Sequence, residues 1–342
     1  MRSKMLVLVS VIIAASMLLA GFVPATTVSA AAAAATPAPA AGEVELPEVD
    51  PFELKGNIYT AGSSTVGPLS EAIQELFVQD GFEGEIKNDI IGSGGGFERF
   101  CKTGETDIAN ASRGIKDAEV ENCGKLTPGR TPIEFRVGTD AIAIVVSKSN
   151  DFLTNVTKAE LDKIFSDKAV NWSDVNKAWP AQPIKRFIPG TDSGTFDFFV
   201  ETITQKVNKI EKLEDAKKIV LNAKNVQASE DDNVLVQGVE GDKYAIGYFG
   251  FAYYQQQKDN LKAVSIDGVE PNFENAESGK YVLSRPLFIY SDAAILKSKP
   301  QVAGFINYYL TNVNQVIEKV GYFPASDEAL NASKQALLDV LK

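Results

Sequence analysis

The stretch Ile188-Pro189-Gly190-Thr191-Asp192-Ser193-Gly194-Thr195-Phe196 limits what this chain can become more than any other. An apolar segment leads into it, and apolar residues at helical spacing run on from Phe196 to Ile203. That pattern predicts a strand, a tight Gly-rich turn and a helix start. A turn of this kind leaves the backbone N–H groups of Ser193, Gly194 and Thr195 without intrahelical partners and pointing one way. The hydroxyls of Ser193 and Thr195 add two further donors. The result is a cradle for an anion with several oxygens.

The chain repeats the device. Asn57 to Thr60 reads as a strand, Gly62-Ser63-Ser64-Thr65-Val66-Gly67-Pro68 as a turn, and Leu69, Ala72, Ile73, Leu76 and Phe77 as one helical face. Ile86 to Ile91 is a second strand, followed by the turn Gly92-Ser93-Gly94-Gly95-Gly96. A third short strand ends in Ala111-Ser112-Arg113-Gly114. In open α/β sheets, ligands bind beyond the carboxyl ends of strands, so Ser64, Thr65, Ser93, Ser112 and Arg113 are expected around one crevice. Further along, Ile133 to Val137 alternates, Gly138-Thr139-Asp140 reads as a break, and Ala141 to Val146 reads as a buried strand. The C-terminal part is helical over Val302 to Leu310 and Ala329 to Leu341.

Composition removes several classes of function. With 342 residues the chain can hold two ordinary domains. Its formal net charge of −11 argues against nucleic acid as a partner. An anion site must therefore work through local donors and a buried cation rather than through net field. The sequence has no histidine, which excludes Ser-His-Asp and Cys-His chemistry and His-ligated zinc. No dense Asp/Glu cluster suggests a metal or another cofactor, and none is expected. The Gly92–Gly96 turn has Phe97 where a dinucleotide fingerprint needs glycine, and the chain has no Walker triplet.

Residues 1–30 read as an export signal: Arg2 and Lys4, an apolar run from Met5 to Val23, and a small-residue site at Val28-Ser29-Ala30. The length of the run leaves an uncleaved anchor as an open alternative. Residues 31–54, rich in Ala and Pro and then acidic, are expected to be a disordered linker. For an exported chain, a disulfide between Cys101 and Cys123 is the expected pairing, with two separate buried thiols as the alternative.

Taken together in chain order, Gly62 to Leu69, Gly92 to Gly96, Asp107 to Arg113 and Asp192 to Phe196 resemble the PstS family of exported phosphate-binding proteins of ABC transporters. Phe165-Ser166, Asn171-Trp172-Ser173, Ala245 to Tyr248 and Leu283 to Leu287 extend the resemblance over roughly residues 55–340. It implies an α/β, two-lobed type II periplasmic-binding-protein fold, each lobe a mixed sheet flanked by helices with the cleft between them. Lobe I would comprise residues 55–138 plus 286–342, and lobe II residues 139–285.

The resemblance further implies a monomeric binding protein, not an enzyme. It would lie in the periplasm or on the outer face of the cytoplasmic membrane and pass inorganic phosphate to the permease subunits of an ABC transporter. By position, Ser64, Thr65, Ser93, Ser193, Gly194 and Thr195 match phosphate-binding turns. Two positions depart from the best-known members: Arg113 stands where they have an acid, and Pro189 where they have an arginine. Arg113 is therefore expected to supply the cation, with Arg186 as fallback, and Asp140 the carboxylate that accepts a hydrogen bond from the phosphate proton. Another oxyanion, sulfate or molybdate, is the alternative in binding, and a phosphatase-like enzyme on the same scaffold is the alternative in class.

Overall fold

The computed structural model describes residues 42–191 and 193–342. The leader expected over 1–30, the first part of the linker and Asp192 of the opening motif lie outside the described residues.

Among the described residues eleven strands follow in chain order: β1 (Ile58–Gly62), β2 (Ile86–Ile90), β3 (Ile108–Ala111), β4 (Pro132–Ser147), β5 (Asn155–Val156), β6 (Lys185–Pro189), β7 (Val226–Ser229), β8 (Ala245–Gly250), β9 (Leu261–Ala263), β10 (Ser265–Ile266) and β11 (Ser284–Asp292). Nine form one sheet in the order β2-β1-β3-β11-β4-β8-β6-β7, with β9 beside β4, while β5 and β10 pair separately. β1 is parallel to β2 and β3, whereas β11 runs antiparallel to β3 and β4. β6 is parallel to both β7 and β8.

β4 organises this sheet. Nine of its first ten residues pair with β11, Val137 being passed over at a bulge, and Ile142 to Val146 pair with β8. The break expected at Gly138-Thr139-Asp140 does not form. Thr139 is held in register by two backbone hydrogen bonds of 2.9 Å with Phe323, so the strand carries straight through. Gly138 suits this point, since a Cβ there would lie 3.0 Å from the Phe323 carbonyl oxygen.

Two main cores lie on either side of that point. One joins Phe77, Phe97, Phe135, Leu287, Phe305 and Ile317 and draws on both ends of the chain. The other joins Ile142, Phe165, Trp172, Ile188, Phe199 and Tyr248, all from the middle. Burying each such aromatic or aliphatic side chain contributes about 1.5–3 kcal/mol. Each half thus carries its own apolar anchor. Cys101 and Cys123 are joined by a disulfide that ties the helical segment Arg99–Thr103 to helix Asp117–Gly124.

Two expectations are corrected here. Residues 42–54 are not a loose linker. Leu46, Val49 and Leu54 pack on the first core, the Val44 N–H donates to Asn331 Oδ1 at 3.0 Å, and Asn307 Nδ2 donates to the Pro47 carbonyl at 3.0 Å. Acidic and proline residues dominate the composition of that stretch, but three spaced apolar residues are enough to dock it. The Gly92–Gly96 turn is in fact the start of helix Gly92–Glu98. Glycine opposes helix formation by about 1 kcal/mol per residue. The fold overrides this because the helix lies on β1 so closely that a Cβ on Gly96 would come within 2.6 Å of the Gly62 Cα.

Candidate functional site

Three backbone turns converge at the end of the sheet. After β1, Ser63 Oγ accepts hydrogen bonds from the N–H groups of Thr65 at 3.2 Å and Val66 at 3.3 Å. Ser63 therefore caps helix Val66–Gln79, and Ser64 is left facing the space beyond the turn. In the second turn Ser93 Oγ accepts from the Ser112 N–H at 3.1 Å and lies 3.3 Å from Ser112 Oγ, joining two strand ends. In the third, Ser193 caps helix Gly194–Phe199, its hydroxyl accepting from the Thr195 N–H at 3.2 Å.

The first and third turns, from different halves of the sheet, meet at Gly194. A Cβ there would lie 2.9 Å from Thr65 Oγ1 and 3.1 Å from the Thr65 nitrogen and the Ser64 carbonyl carbon. Only a residue without a side chain lets the two turns approach this closely.

The guanidinium that reaches this meeting point belongs to Arg285, on β11. Its Nη2 donates to Thr65 Oγ1 and, at 3.1 Å, to the Gly194 carbonyl, while Nη1 reaches Ser112 Oγ at 3.4 Å. Its plane lies over the Phe198 ring, 3.8 Å from the centroid. Nε donates to Asp140 Oδ2 at 3.0 Å, so the carboxylate orients the fork. Asp140 is fully buried, and its Oδ1 has no hydrogen-bond partner among the described residues. Burial pushes its carboxyl above the usual range, against the pull of Arg285.

Cavities open on both sides of the contact. The smaller, about 270 Å³, is walled by Ser64, Ser193, Gly194, Thr195, Asp232 and Tyr322 among others. The larger, about 530 Å³, reaches Ser64, Ser93, Ser112, Arg113 and Arg285. Ser64, Ser93, Ser193, Gly194 and Thr195 each line one of the two cavities, whereas Thr65 is buried against Arg285 and lines neither.

The two expected cations are differently employed. Arg113 lines the larger cavity, but it forks onto Glu119 at 2.9 and 2.7 Å and lies over the Phe97 ring. That pairing already matches its charge. Arg186 lines neither cavity. It is wholly buried in the second core and donates to the carbonyls of Ile164, Ala169, Ile184 and Lys224. Burial without a carboxylate partner pulls its pKa down to about 10. Asp140 lines neither cavity and faces Arg285 instead.

A model for the PBP superfamily domain matches residues 32–313 of this chain. Protein SphX of Synechococcus elongatus is 42 % identical over 80 % of this chain and 79 % of its own length. The phosphate-binding protein PstS of Staphylococcus saprophyticus is 36 % identical over 84 % of this chain and 85 % of its own. A crystal structure of a possible phosphate binding protein from Planctomyces limnophilus superimposes with a TM-score of 0.74 at 38 % identity, covering 84 % of this chain and all of that one. The chain belongs to the PstS family.

Members of the PstS family are binding proteins rather than enzymes. Against the PstS pattern, Pro189 of this chain stands where an arginine is expected, yet a guanidinium from β11 still reaches the turns. Arg285 was the residue that sequence reasoning passed over. Its one local signal was a lone arginine leading into the apolar run Leu287 to Tyr290, where a buried charge needs a partner.

Proposed function

We propose that the protein captures inorganic phosphate between two lobes, residues 55–138 plus 286–342 and residues 139–285, and delivers it outside the cytoplasmic membrane to the permease of an ABC transporter. The observation that carries the reading is the convergence of Thr65, Ser112 and Gly194 on the Arg285 guanidinium. Turns from both halves of the sheet thus share one cation. In this reading the N–H and hydroxyl groups of Ser64, Thr65, Ser93, Ser193, Gly194 and Thr195 bind phosphate oxygens, and Arg285 neutralises the charge. Asp140 holds Arg285 in place. The direct proton-accepting role expected of Asp140 is not part of the proposal, because its oxygens reach neither cavity. Arg113 shapes the outer wall.

The chemistry suits a small tetrahedral anion. Dry, preorganised N–H donors replace its water shell without reorganising. A chain with a net charge of −11 does not attract an anion from a distance, so affinity must come from these contacts. The PstS relationship supports delivery to a transporter, and an export leader fits a protein that works as a monomer outside the membrane.

Calorimetric titration of the purified chain tests the reading. One phosphate per chain is expected, with sulfate and molybdate far weaker. Absence of phosphate binding, or sulfate as tight as phosphate, overturns it. A second result is expected at Gly194. Gly194→Ala puts a methyl against Thr65 and Ser64, an overpacking that costs about 1–3 kcal/mol, so phosphate affinity should fall roughly 10- to 100-fold. Because the clash lies between the halves and not within either core, the unliganded thermal midpoint should barely move. Unaltered affinity in that variant would show that the two turns need not meet.

A further inference from the structure

The larger cavity has room that a free phosphate ion does not use. At about 530 Å³ it falls within the range of roughly 300–1,000 Å³ that takes drug-sized molecules, whereas orthophosphate is a single tetrahedral group. Arg285 and the serine turns line one end. The other end is built by the segment after the third turn. Helix Gly194–Phe199 runs on into a π-helical stretch, Val200–Gln205. Phe198, Glu201, Thr202 and Lys206 recur there at helical spacing, and this one face forms the outer wall. Stretches of π-helix are frequent at functional sites. Leu213 and Val282 add carbon to the same wall.

Thr202 is the second, independent sign. A helical threonine commonly returns its hydroxyl to a carbonyl three or four residues back. Thr202 is only 4 % exposed, yet its Oγ1 has no hydrogen-bond partner among the described residues. A buried hydroxyl in that condition is short of a partner. Rotation about χ1 exchanges Oγ1 and the methyl group on the same Cβ, and no hydrogen bond is lost when the hydroxyl turns to the cavity.

The charges of the wall decide what kind of group it takes. Arg113 is already forked onto Glu119, and Asp197 is paired with Lys217 at 2.8 Å. Glu201 and Lys206 are both exposed and opposite in sign. The outer end therefore offers no net positive charge to a second phosphoryl group. It offers a hydroxyl, a carboxylate and an ammonium beside carbon, which suits a neutral, hydroxylated chain.

We infer that the larger cavity also takes phosphate monoesters of small polyols, the phosphoryl group lying against Arg285, Ser64 and Ser93 and the hydroxylated carbons lying along Thr202, Leu213 and Val282. This rests on the phosphate reading for the phosphoryl end and widens the ligand class at the other. The ester is bound and released unchanged, since the sequence supplies no histidine base and the site no activated nucleophile. A hydroxyl of the ester both donates and accepts, so it can partner Thr202 Oγ1 in either sense.

The test is calorimetric titration of the full chain with inorganic phosphate, methyl phosphate, glycerol phosphate and pyrophosphate at one pH and ionic strength. Glycerol phosphate should bind once per chain and compete with phosphate. It should bind about 5- to 10-fold tighter than methyl phosphate, which has no hydroxyl to offer Thr202. Thr202→Val keeps the shape and removes only an unpartnered hydroxyl, so the thermal midpoint should not fall. That variant should weaken glycerol phosphate about 5-fold and leave phosphate and methyl phosphate as they were. A wild-type protein that binds phosphate but neither ester overturns the inference and leaves the phosphate reading standing; a cleft that shuts tightly on the free ion would behave so. Glycerol phosphate binding that Thr202→Val does not alter overturns it too. Pyrophosphate bound tighter than glycerol phosphate overturns the ligand class assigned to the outer wall. A protein that binds none of the four removes both the inference and the reading beneath it.

Discussion

Arg285→Ala is expected to reduce phosphate affinity by about 1,000-fold or more, equivalent to roughly 4 kcal/mol. Among the described residues, Arg285 is the one guanidinium that reaches Thr65, Ser112 and the Gly194 carbonyl together. The same variant leaves Asp140 buried without a partner, so it should also lower the thermal midpoint. Adding Asp140→Asn removes the stranded carboxylate. The double variant should regain most of the stability and none of the binding, which separates the two roles. Arg285→Lys keeps a charge but loses the planar fork that spans these partners, and an intermediate loss is expected. Titration calorimetry and thermal unfolding on the same samples decide the matter. Phosphate binding that survives Arg285→Ala would return the cation role to Arg113.

Arg186→Ala should give the opposite pattern. This side chain is completely buried and donates to the carbonyls of Ile164, Ala169, Ile184 and Lys224. Those groups tie helix Lys158–Ile164, strand β6 and the loop before β7 together. Removing the guanidinium strands several buried acceptors at once and opens a cavity, a loss of about 3–5 kcal/mol. For a protein of this size that corresponds to roughly a 10 °C fall in thermal midpoint. Phosphate affinity of the folded protein should stay within a few-fold of wild type. Lysine at this position keeps the charge but cannot serve four carbonyls, so it should recover little. A folded Arg186→Ala protein of normal stability that fails to bind phosphate would mean that Arg186 belongs to the site after all.

These contrasting outcomes follow from what each arginine touches, which the sequence does not state. Arg113, Arg186 and Arg285 each lie at or near a strand end, and nothing local ranks them. Arg113 sits beside Ser112 in the chain and was the natural choice. Glu119, six residues on, takes its charge through a turn whose geometry composition does not reveal. The Gly-rich segment after β2 was misread for a related reason. Its glycines lower helix propensity, but close packing on β1 needs one of them, Gly96, and rewards the helix. The stretch 42–54 looked too polar and proline-rich to dock, and Leu46, Val49 and Leu54 find a groove that exists only once the C-terminal helices are in place.

The turns themselves were legible. Ser and Gly between an apolar strand and an apolar helical face carry their meaning locally, since turn geometry, capping and free N–H groups depend on a few adjacent residues. On that ground alone the sequence determined an α/β chain with Ser/Gly turns at several strand ends. Tertiary structure alone decided which charge meets them. Arg285 pairs with Asp140 across 145 residues and with Thr65 across 220. Contacts at that range are set by the order and direction in which strands cross the sheet, and no local pattern of residue types records that order.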